Sequence, residues 1–275
     1  VNVRFNPSEA VNLRVSYAGG YRAPQAFDED MHIAIVGGKR VRIRLADDLR
    51  EERSHSVSLS ADLYHTFGKV QTNLLVEGFY TILDDVFALR DMDDAADGGK
   101  VKERYNGSGA TVRGFNVEGR AAFTRWFELQ AGVTLQQSRY KEPEFWSEDA
   151  EVPPVRRMFR TPDAYGYFTA SFKPVRNFTA DLSGTCTGSM LVQHMAGSGV
   201  WQDVAVSTPS FFDMNIRLSY DVRIYKEITM QLYGGVQNLF NAYQKDFDKG
   251  VDRDSGYIYG PSLPRSWFVG AKFSF

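Results

Sequence analysis

Residues 211–223, FFDMNIRLSYDVR, alternate without a break. Phe212, Met214, Ile216, Leu218, Tyr220 and Val222 share one face, and Asp213, Asn215, Arg217, Ser219, Asp221 and Arg223 share the other. Period two with one apolar and one polar face predicts a half-buried β-strand. A dozen such residues is about twice the usual length of ~5–6 for a globular strand. The same alternation recurs at 11–17, 57–63, 70–82, 115–123, 127–135, 164–172, 178–186, 228–240 and 266–275. With a stub at 1–6, the pattern predicts about eleven strands and no helix. The last stretch stops while still alternating, with Trp267, Val269, Ala271, Phe273 and Phe275 on one face.

The connections sort into two kinds. Short links fall at 6–10, 67–69, 124–128, 173–177 and 222–227, and long links at roughly 22–54, 91–110, 140–161, 189–208 and 241–263. Short and long alternate throughout. A meander with tight turns at one rim and long loops at the other produces this order, and it is the plan of an outer-membrane β-barrel. A soluble sandwich has no reason to sort its loops by rim. Aromatic residues gather near strand ends, among them Tyr17, Phe123, Trp126, Phe127, Tyr165, Tyr167, Phe172, Tyr233, Trp267, Phe268 and Phe275. That placement predicts girdles at the two membrane interfaces.

Composition narrows the function classes. The 275 residues are 43% hydrophobic, without the 18-residue apolar run of a spanning helix. A net charge of -2 argues against nucleic-acid binding. One cysteine, Cys186, excludes an internal disulfide. The four histidines, His32, His55, His65 and His194, lie without metal-ligand spacing. No nucleophile, phosphate-loop or redox motif is present, so the chain is expected not to be an enzyme.

Five stretches carry a family resemblance. GGYRAPQAFDED (19–30) looks like a strand-end Y/F-R-A-P stretch, and LREERSHSVSLSADL (49–63) is similar to an L-x-P-E-x-S strand opening. Arg160, Thr161 and Pro162 look like an R-T-P strand start. GGVQNLFNAYQ (234–244) resembles a V-x-N-L-F-D-x-x-Y penultimate strand, and PRSWFVGAKFSF (264–275) a closing strand with a final Phe. In this order they resemble the C-terminal half of the barrel of TonB-dependent outer-membrane receptors, of a Bacteroidota-like kind, over essentially the whole chain. Two positions depart from the pattern: Glu51-Glu52 stands for Pro-Glu, and Asn241 for the aspartate.

The resemblance implies an all-β transmembrane antiparallel barrel, with residues 1–275 forming about the last 11 strands of a 22-stranded wall as one domain. The short first stretch, the odd strand count and the non-Met Val1 agree with further strands upstream. No plug domain is recognised in this sequence. The implied function is TonB-dependent import of a scarce nutrient, a metal chelate such as a siderophore, heme or cobalamin. The alternatives are a glycan or peptide importer of the same family, or a surface barrel that binds ligand without energised transport. Implied partners are the N-terminal plug and barrel half, the TonB complex acting through that half, the lipid bilayer with its lipopolysaccharide, a surface lipoprotein and a small-molecule ligand.

Within that frame, Tyr21, Arg22, Phe145, Trp146, Trp201, Tyr257 and Tyr259 fall on long external links, where rings and a guanidinium would grip a ligand. The acidic run DMDDAAD places Asp91, Asp93, Asp94 and Asp97 together. Hard oxygen ligands of this kind suit a structural Ca2+, and the other reading is a solvated acidic loop. No other cofactor is expected. Arg14, Asp62, Glu77, Glu118, Arg120, Asp181, Asp213, Arg217, Asp221 and Lys272 are expected to face the barrel interior, either holding a plug or forming a solvated, mutually neutralised lining.

Overall fold

A computed structural model describes residues 1–24, 41–92, 100–147, 149–225, 227–261 and 263–275. Its strands in chain order are β1 (Asn2–Ser8), β2 (Val11–Arg22), β3 (Val41–Leu45), β4 (Glu52–Phe67), β5 (Val70–Asp84), β6 (Phe87–Asp91), β7 (Lys100–Asn106), β8 (Ala110–Thr124) and β9 (Phe127–Glu144). They continue with β10 (Val155–Arg157), β11 (Ala164–Phe172), β12 (Phe178–Thr187), β13 (Leu191–His194), β14 (Val204–Ser207), β15 (Phe211–Tyr225), β16 (Ile228–Gln237) and β17 (Ser266–Ser274). Eleven of these form one antiparallel wall in the order β1-β2-β4-β5-β8-β9-β11-β12-β15-β16-β17, with β10 added to the upper part of β9. Sequence neighbours along this path are spatial neighbours, so the wall is a meander forming a partial barrel.

Directly opposite residues of an antiparallel pair share a face, so the register traces faces across the wall. One row runs Asn12, Asp62, Leu75, Glu118, Gly132, Tyr167, Thr185 and Asp213. Extending the register brings all ten charges named above to this polar face. The other face carries Val15, Leu59, Gly78, Phe115 and Leu135 in one row.

The apolar face has nothing over it: Leu59 is 61% exposed and Phe115 64%. A contiguous apolar surface of this size demands a non-aqueous neighbour. The packed interior lies elsewhere. Among the described residues, the buried apolar side chains are Ala46, Ala110, Val152, Val192, Val236 and Tyr257. Four of them sit in the long links, and the other two sit where β8 and β16 meet those links. The wall is therefore a single layer with solvent or lipid on each face, and the chain builds its core in the loops at one rim.

At the opposite rim the links are tight. Gly68, between β4 and β5, and Asn177, before β12, adopt positive φ of 63° and 69°. Glycine reaches that region without cost and asparagine tolerates it. Aromatic rings collect on the apolar face at this rim. Phe123 stacks on Phe127 at 5.4 Å, Trp126 meets Phe172 edge-on at 5.1 Å, and His65 meets Phe67 at 4.2 Å. The predicted girdle exists here, but not every ring belongs to it. Tyr165, Tyr167, Tyr233 and Phe268 lie on the polar face, as their partners in register require.

Several rings lie across the glycine directly opposite. Tyr167 covers Gly132, Phe168 covers Gly184, Phe115 covers Gly78, Tyr233 covers Gly270 and Phe268 covers Gly235. A methyl group on Gly132 would fall 2.7 Å from the Tyr167 ring, and one on Gly184 would fall 2.3 Å from Phe168.

Several wall strands run past their predicted ends at the long-loop rim, whereas β16 stops at Gln237, short of the predicted 240. β9 reaches Glu144 rather than stopping near 135, and β2 reaches Arg22 rather than 17. Above an apolar neighbour the ladder continues but the alternation does not, because both faces meet water. The long links also carry structure of their own. β3, β7 and β6 form a mixed three-stranded sheet in which β3 runs parallel to β7, and β13 and β14 form a hairpin.

Candidate functional site

Three long links interlock at one rim: 145–163, 188–210 and 238–265, which follow β9, β12 and β16 respectively. Their centre is a buried polar cluster. His194, closing β13, points Nε2 at both carboxylate oxygens of Asp248, at 3.0 and 3.1 Å. The Tyr257 ring lies flat on the imidazole, with centroids 3.7 Å apart and planes within 6°. The hydroxyls of Tyr257 and Tyr259 both donate to Asp246, at 2.9 and 2.6 Å. Asp254 accepts the amides of Met195 and Gly256, each at 2.8 Å. Every buried polar group here has a partner, so the cluster holds the loops together without an unpaired charge.

Electrostatics follow from that packing. Burial pulls the Asp246 carboxyl up, but the hydroxyls of Tyr259 and Tyr257 outweigh it and leave the group below its ordinary value. Burial raises both phenols, and the hydrogen bond to Asp246 raises them further; Tyr259 is pushed up to about 12.

The third loop joins through Asp203, which accepts from the Ser147 hydroxyl and from the Ala196 amide, both at 2.7 Å. Gln202 donates to Asp149 at 3.0 Å. Arg160 crosses in the other direction. Its amide donates to Leu191 O at 2.8 Å, while its guanidinium donates to the carbonyls of Ile258, at 2.7 Å, and Gly256. Arg160 holds a φ of 57°, which turns the side chain out of its own loop. Thr161 Oγ1 bonds Met158 O at 2.8 Å, and Pro162 O accepts from Gln136 at 2.9 Å. The Arg-Thr-Pro stretch is thus a junction between loops rather than only the start of β11.

Asn238 is the second junction. It is buried, at φ 49°, and its amide donates to Ala242 O and Leu263 O at 2.9 Å each, while its side-chain oxygen accepts the Ala242 amide at 2.7 Å. One side chain therefore ties both ends of the loop between β16 and β17. Asn241 accepts the Arg265 amide at 2.9 Å. An aspartate oxygen would do the same, which explains how asparagine stands at that place in the motif.

A second loop assembly sits over β2, β4 and β5. Glu52 accepts the Phe87 amide at 2.5 Å and lies 3.5 Å from Arg22, its partner in register. The Arg22 guanidinium stands 5.4 Å from the centroid of the Phe87 ring. Asn106 bonds Arg50 O at 2.9 Å and Asp85 O at 2.8 Å, fixing the start of β4 to the end of β7. Glu103 is buried and takes Arg90 at 2.5 Å.

The residues singled out from the sequence divide by these contacts. Trp201 is fully exposed at the hairpin tip, and Tyr21 and Phe145 are also exposed. Trp146 is tied in: its indole donates to Pro153 O at 3.3 Å and its ring meets Phe159 at 5.3 Å. Tyr257 differs most from the expectation of a ligand-gripping ring, at 3% exposure. Tyr259 and Arg22 are half engaged with Asp246 and Glu52. Asp93, Asp94 and Asp97, like His32, lie outside the described residues, and Asp91 ends β6. Among the described residues no cluster of histidine, cysteine and carboxylates is arranged to hold a metal ion. Sequence reading missed Asp246, Asp248 and Asp254: Asp248 and Asp254 reach across to His194 and Met195 in another loop, and Asp246 meets Tyr257 and Tyr259 only once its own loop has folded back on itself.

On the polar face, Tyr167 donates to Glu118 at 2.6 Å, Gln130 donates to the same carboxylate at 2.8 Å, and Arg120 reaches Glu128 at 2.5 Å. Ser171 donates to Asp181 at 2.7 Å, and Arg217 lies 4.5 Å over the Tyr233 ring. Cross-strand pairing thus neutralises much of this lining. These contacts move no proton and form no bond, so the arrangement is suited to lining a passage.

A family model described as TonB dependent receptor-like, beta-barrel, matches residues 1–239. No curated protein sequence matches the chain. Among solved structures, the ferric-catecholate import receptor Fiu from E. coli K12 superposes with a TM-score of 0.62 at 16% identity, over 98% of this chain and 34% of that one. The copper transporter OprC gives 0.65 at 12% identity, over 100% and 39%. The siderophore receptor PirA from Acinetobacter baumannii gives 0.62 at 16%, over 100% and 40%. The chain therefore spans well under half the length of these receptors, and likeness at such identities speaks for the fold. With the family model covering most of its length, and an eleven-strand meander of the matching architecture, the chain belongs to the TonB-dependent receptor family and forms part of its outer-membrane β-barrel.

Proposed function

We propose that this chain supplies part of the wall of an importer that carries a scarce nutrient across the bacterial outer membrane, driven through TonB, with a metal chelate as cargo. Siderophore, heme and cobalamin are the candidate classes. The carrying observation is the interlocked loop layer, built over a wall whose inner face is polar and internally paired. Such a layer presents a rigid outer surface to a ligand without spending its exposed rings on structure. Trp201 and Phe145 are rings of this layer left exposed for contact, while Tyr21, also exposed, stands at the end of β2 on the outer face it shares with Val15 and Tyr17. The names of the solved relatives, which speak of ferric catecholate, siderophore and copper, support a metal-bearing cargo.

The test is growth of a deletion strain on limiting ferric siderophores, heme and cobalamin, supplied one at a time. A defect on one source, restored by the intact gene and weakened by Trp201→Ala, is the expected result. Normal growth on every source would refute this reading.

A further inference from the structure

The inner face is not uniform around the wall. On β4 the consecutive inward positions are Ser54, Ser56, Ser58 and Ser60, and opposite them on β2 stand Gly20, Ala18, Ser16 and Arg14. Between Arg14 and Arg22 these two strands turn neither a ring nor a charge inward. The serine run extends about 20 Å along β4 at ~3.4 Å per residue. A methyl group on Gly20 would fall 2.8 Å from Ser54 Oγ, so the hydroxyl lies flat across the glycine. On β5 the surface continues through Thr81, whose hydroxyl shares a hydrogen bond of 2.9 Å with that of Ser56, and Phe79 forms its edge.

The sector from β11 to β17 is built differently. Its inward positions carry Tyr165, Tyr167, Phe211, Tyr233 and Phe268. The polar groups among them are committed to one another, Ser171 to Asp181 at 2.7 Å and Gln231 to Asp221 at 2.9 Å. At its rim stand the loops locked by His194 and Tyr257. By contrast, the hydroxyls of Ser16, Ser54, Ser58 and Ser60 have no protein partner among the described residues.

We propose that cargo crosses the barrel along the β2–β4 sector, over Ser54, Ser56, Ser58 and Ser60, and not along β11 to β17. This deepens the import reading and rests on it. A serine hydroxyl both donates and accepts, and it carries no charge. Passage needs many weak contacts rather than one strong one, because a solute that binds tightly does not leave. Serines repeated along one strand give such a series, whereas rings narrow the lumen and ion pairs hold what they meet. The lining suits a hydrated chelate with many exposed oxygens, which can exchange hydrogen bonds step by step. A flat macrocycle would use few of them. At the outer end of the strip, Arg22 faces Glu52 at 3.5 Å beside Phe87, which places an ion pair at its entrance.

The experiment uses the full-length receptor in intact cells, with fluorescein maleimide, which does not cross membranes, as the probe. Cys186→Ser supplies the background, since that thiol is exposed. Single cysteines are placed at Ser60 and at Thr185, both inward, each eight residues from the positive-φ residue of its tight turn, Gly68 and Asn177. Ser60→Cys is expected to label about tenfold faster than Thr185→Cys. Adding Ser56→Trp, above Ser60 on the same face, is expected to slow that labelling about tenfold, and Ser56→Leu to slow it by an intermediate factor. Equal labelling of the two cysteines overturns the route, as does labelling at Ser60→Cys that neither Ser56 variant slows. A deletion strain that grows normally on every limiting source removes the import reading. A strain that starves on one source while both cysteines label equally removes the route alone.

Discussion

The imidazole of His194 and the ring of Tyr257 lie face to face at 3.7 Å, although 63 residues separate them along the chain. Around that stack, Asp248 holds the histidine and Asp246 holds the tyrosine. Two loops borne by neighbouring strands of the wall are closed on each other by one flat contact with acidic anchors on both sides.

Removing the ring should open the loops while leaving the wall intact. Tyr257→Ala is expected to cost about 3 kcal/mol of local stability, in the range for a buried aromatic truncated to alanine. Tyr257→Phe keeps the stack and loses only the hydroxyl donation, at about 1 kcal/mol. Hydrogen exchange of the Met195 and Gly256 amides, both held by Asp254, reports the opening. Unchanged protection in Tyr257→Ala would show that the stack does not close the loops.

The same cluster sets an alkaline limit. A phenol whose pKa is raised in the folded loop contributes stability that is complete below its unfolded value of about 10 and is lost as pH rises through the folded value. For Tyr259 that upper end is about 12. Ultraviolet titration is expected to show two tyrosines ionising after the rest, with loop exchange accelerating in that window. Asp246→Asn removes the charge that helps hold the phenols neutral, and should bring both titrations toward about 10. Two late tyrosines that persist in Asp246→Asn would mean that burial alone sets them.

Arg160→Ala tests coupling between loops. It removes the donations to Ile258 O and Gly256 O. Hydrogen bonds to charged groups contribute about 1.5–3 kcal/mol, and solvent exposure at this site places the expected loss near the lower end. Exchange at Tyr257 should rise, with strands β4, β5 and β8 unaffected. A uniform loss of protection across those strands would argue for global destabilisation instead.

Asn238→Ala removes three hydrogen bonds and a residue suited to positive φ, and is expected to lower stability by about 2–4 kcal/mol. Asn241→Asp keeps the acceptor for Arg265 and should change it by under about 0.5 kcal/mol. Thermal unfolding of the two variants, read by loss of the compact form in unheated gels, separates the roles. Equal midpoints would remove Asn238 from the role of clamp.

The wall was legible in the sequence because one physical rule acts on it everywhere. A strand between lipid and a polar passage must alternate, and the stretches at 164–172 and 211–223 do so from end to end. Legibility stopped where lipid stops. Gln136 to Glu144 continues β9 with polar groups on both sides, so periodicity gave no sign of it. The strands within the long links are short and irregular in pattern. Tyr257 read as a ring free to grip a ligand on the link DSGYIYGP, since the imidazole that covers it comes from β13 and not from its neighbours in sequence. Conversely, the Arg-Thr-Pro and Asn-Leu-Phe stretches were recognised by resemblance, while the reason for them, ties between loops, emerged from Arg160 and Asn238 in three dimensions.

The rings that lie across opposite glycines bear on how the barrel is put together. A strand that slips by one residue turns its apolar side chains to the wrong face, so polarity forbids it. A slip by two residues keeps every face correct, and polarity is blind to it. At the junction of β11 and β12 that slip would press Phe168 against Leu182 or Cys186 instead of Gly184, and at β9 and β11 it would press Tyr167 against Gln130 or Thr134 instead of Gly132. Each ring and its glycine act as a key and slot that admit one alignment. The wall carries its own proofreading, distributed along the seams where neighbouring strands must find each other.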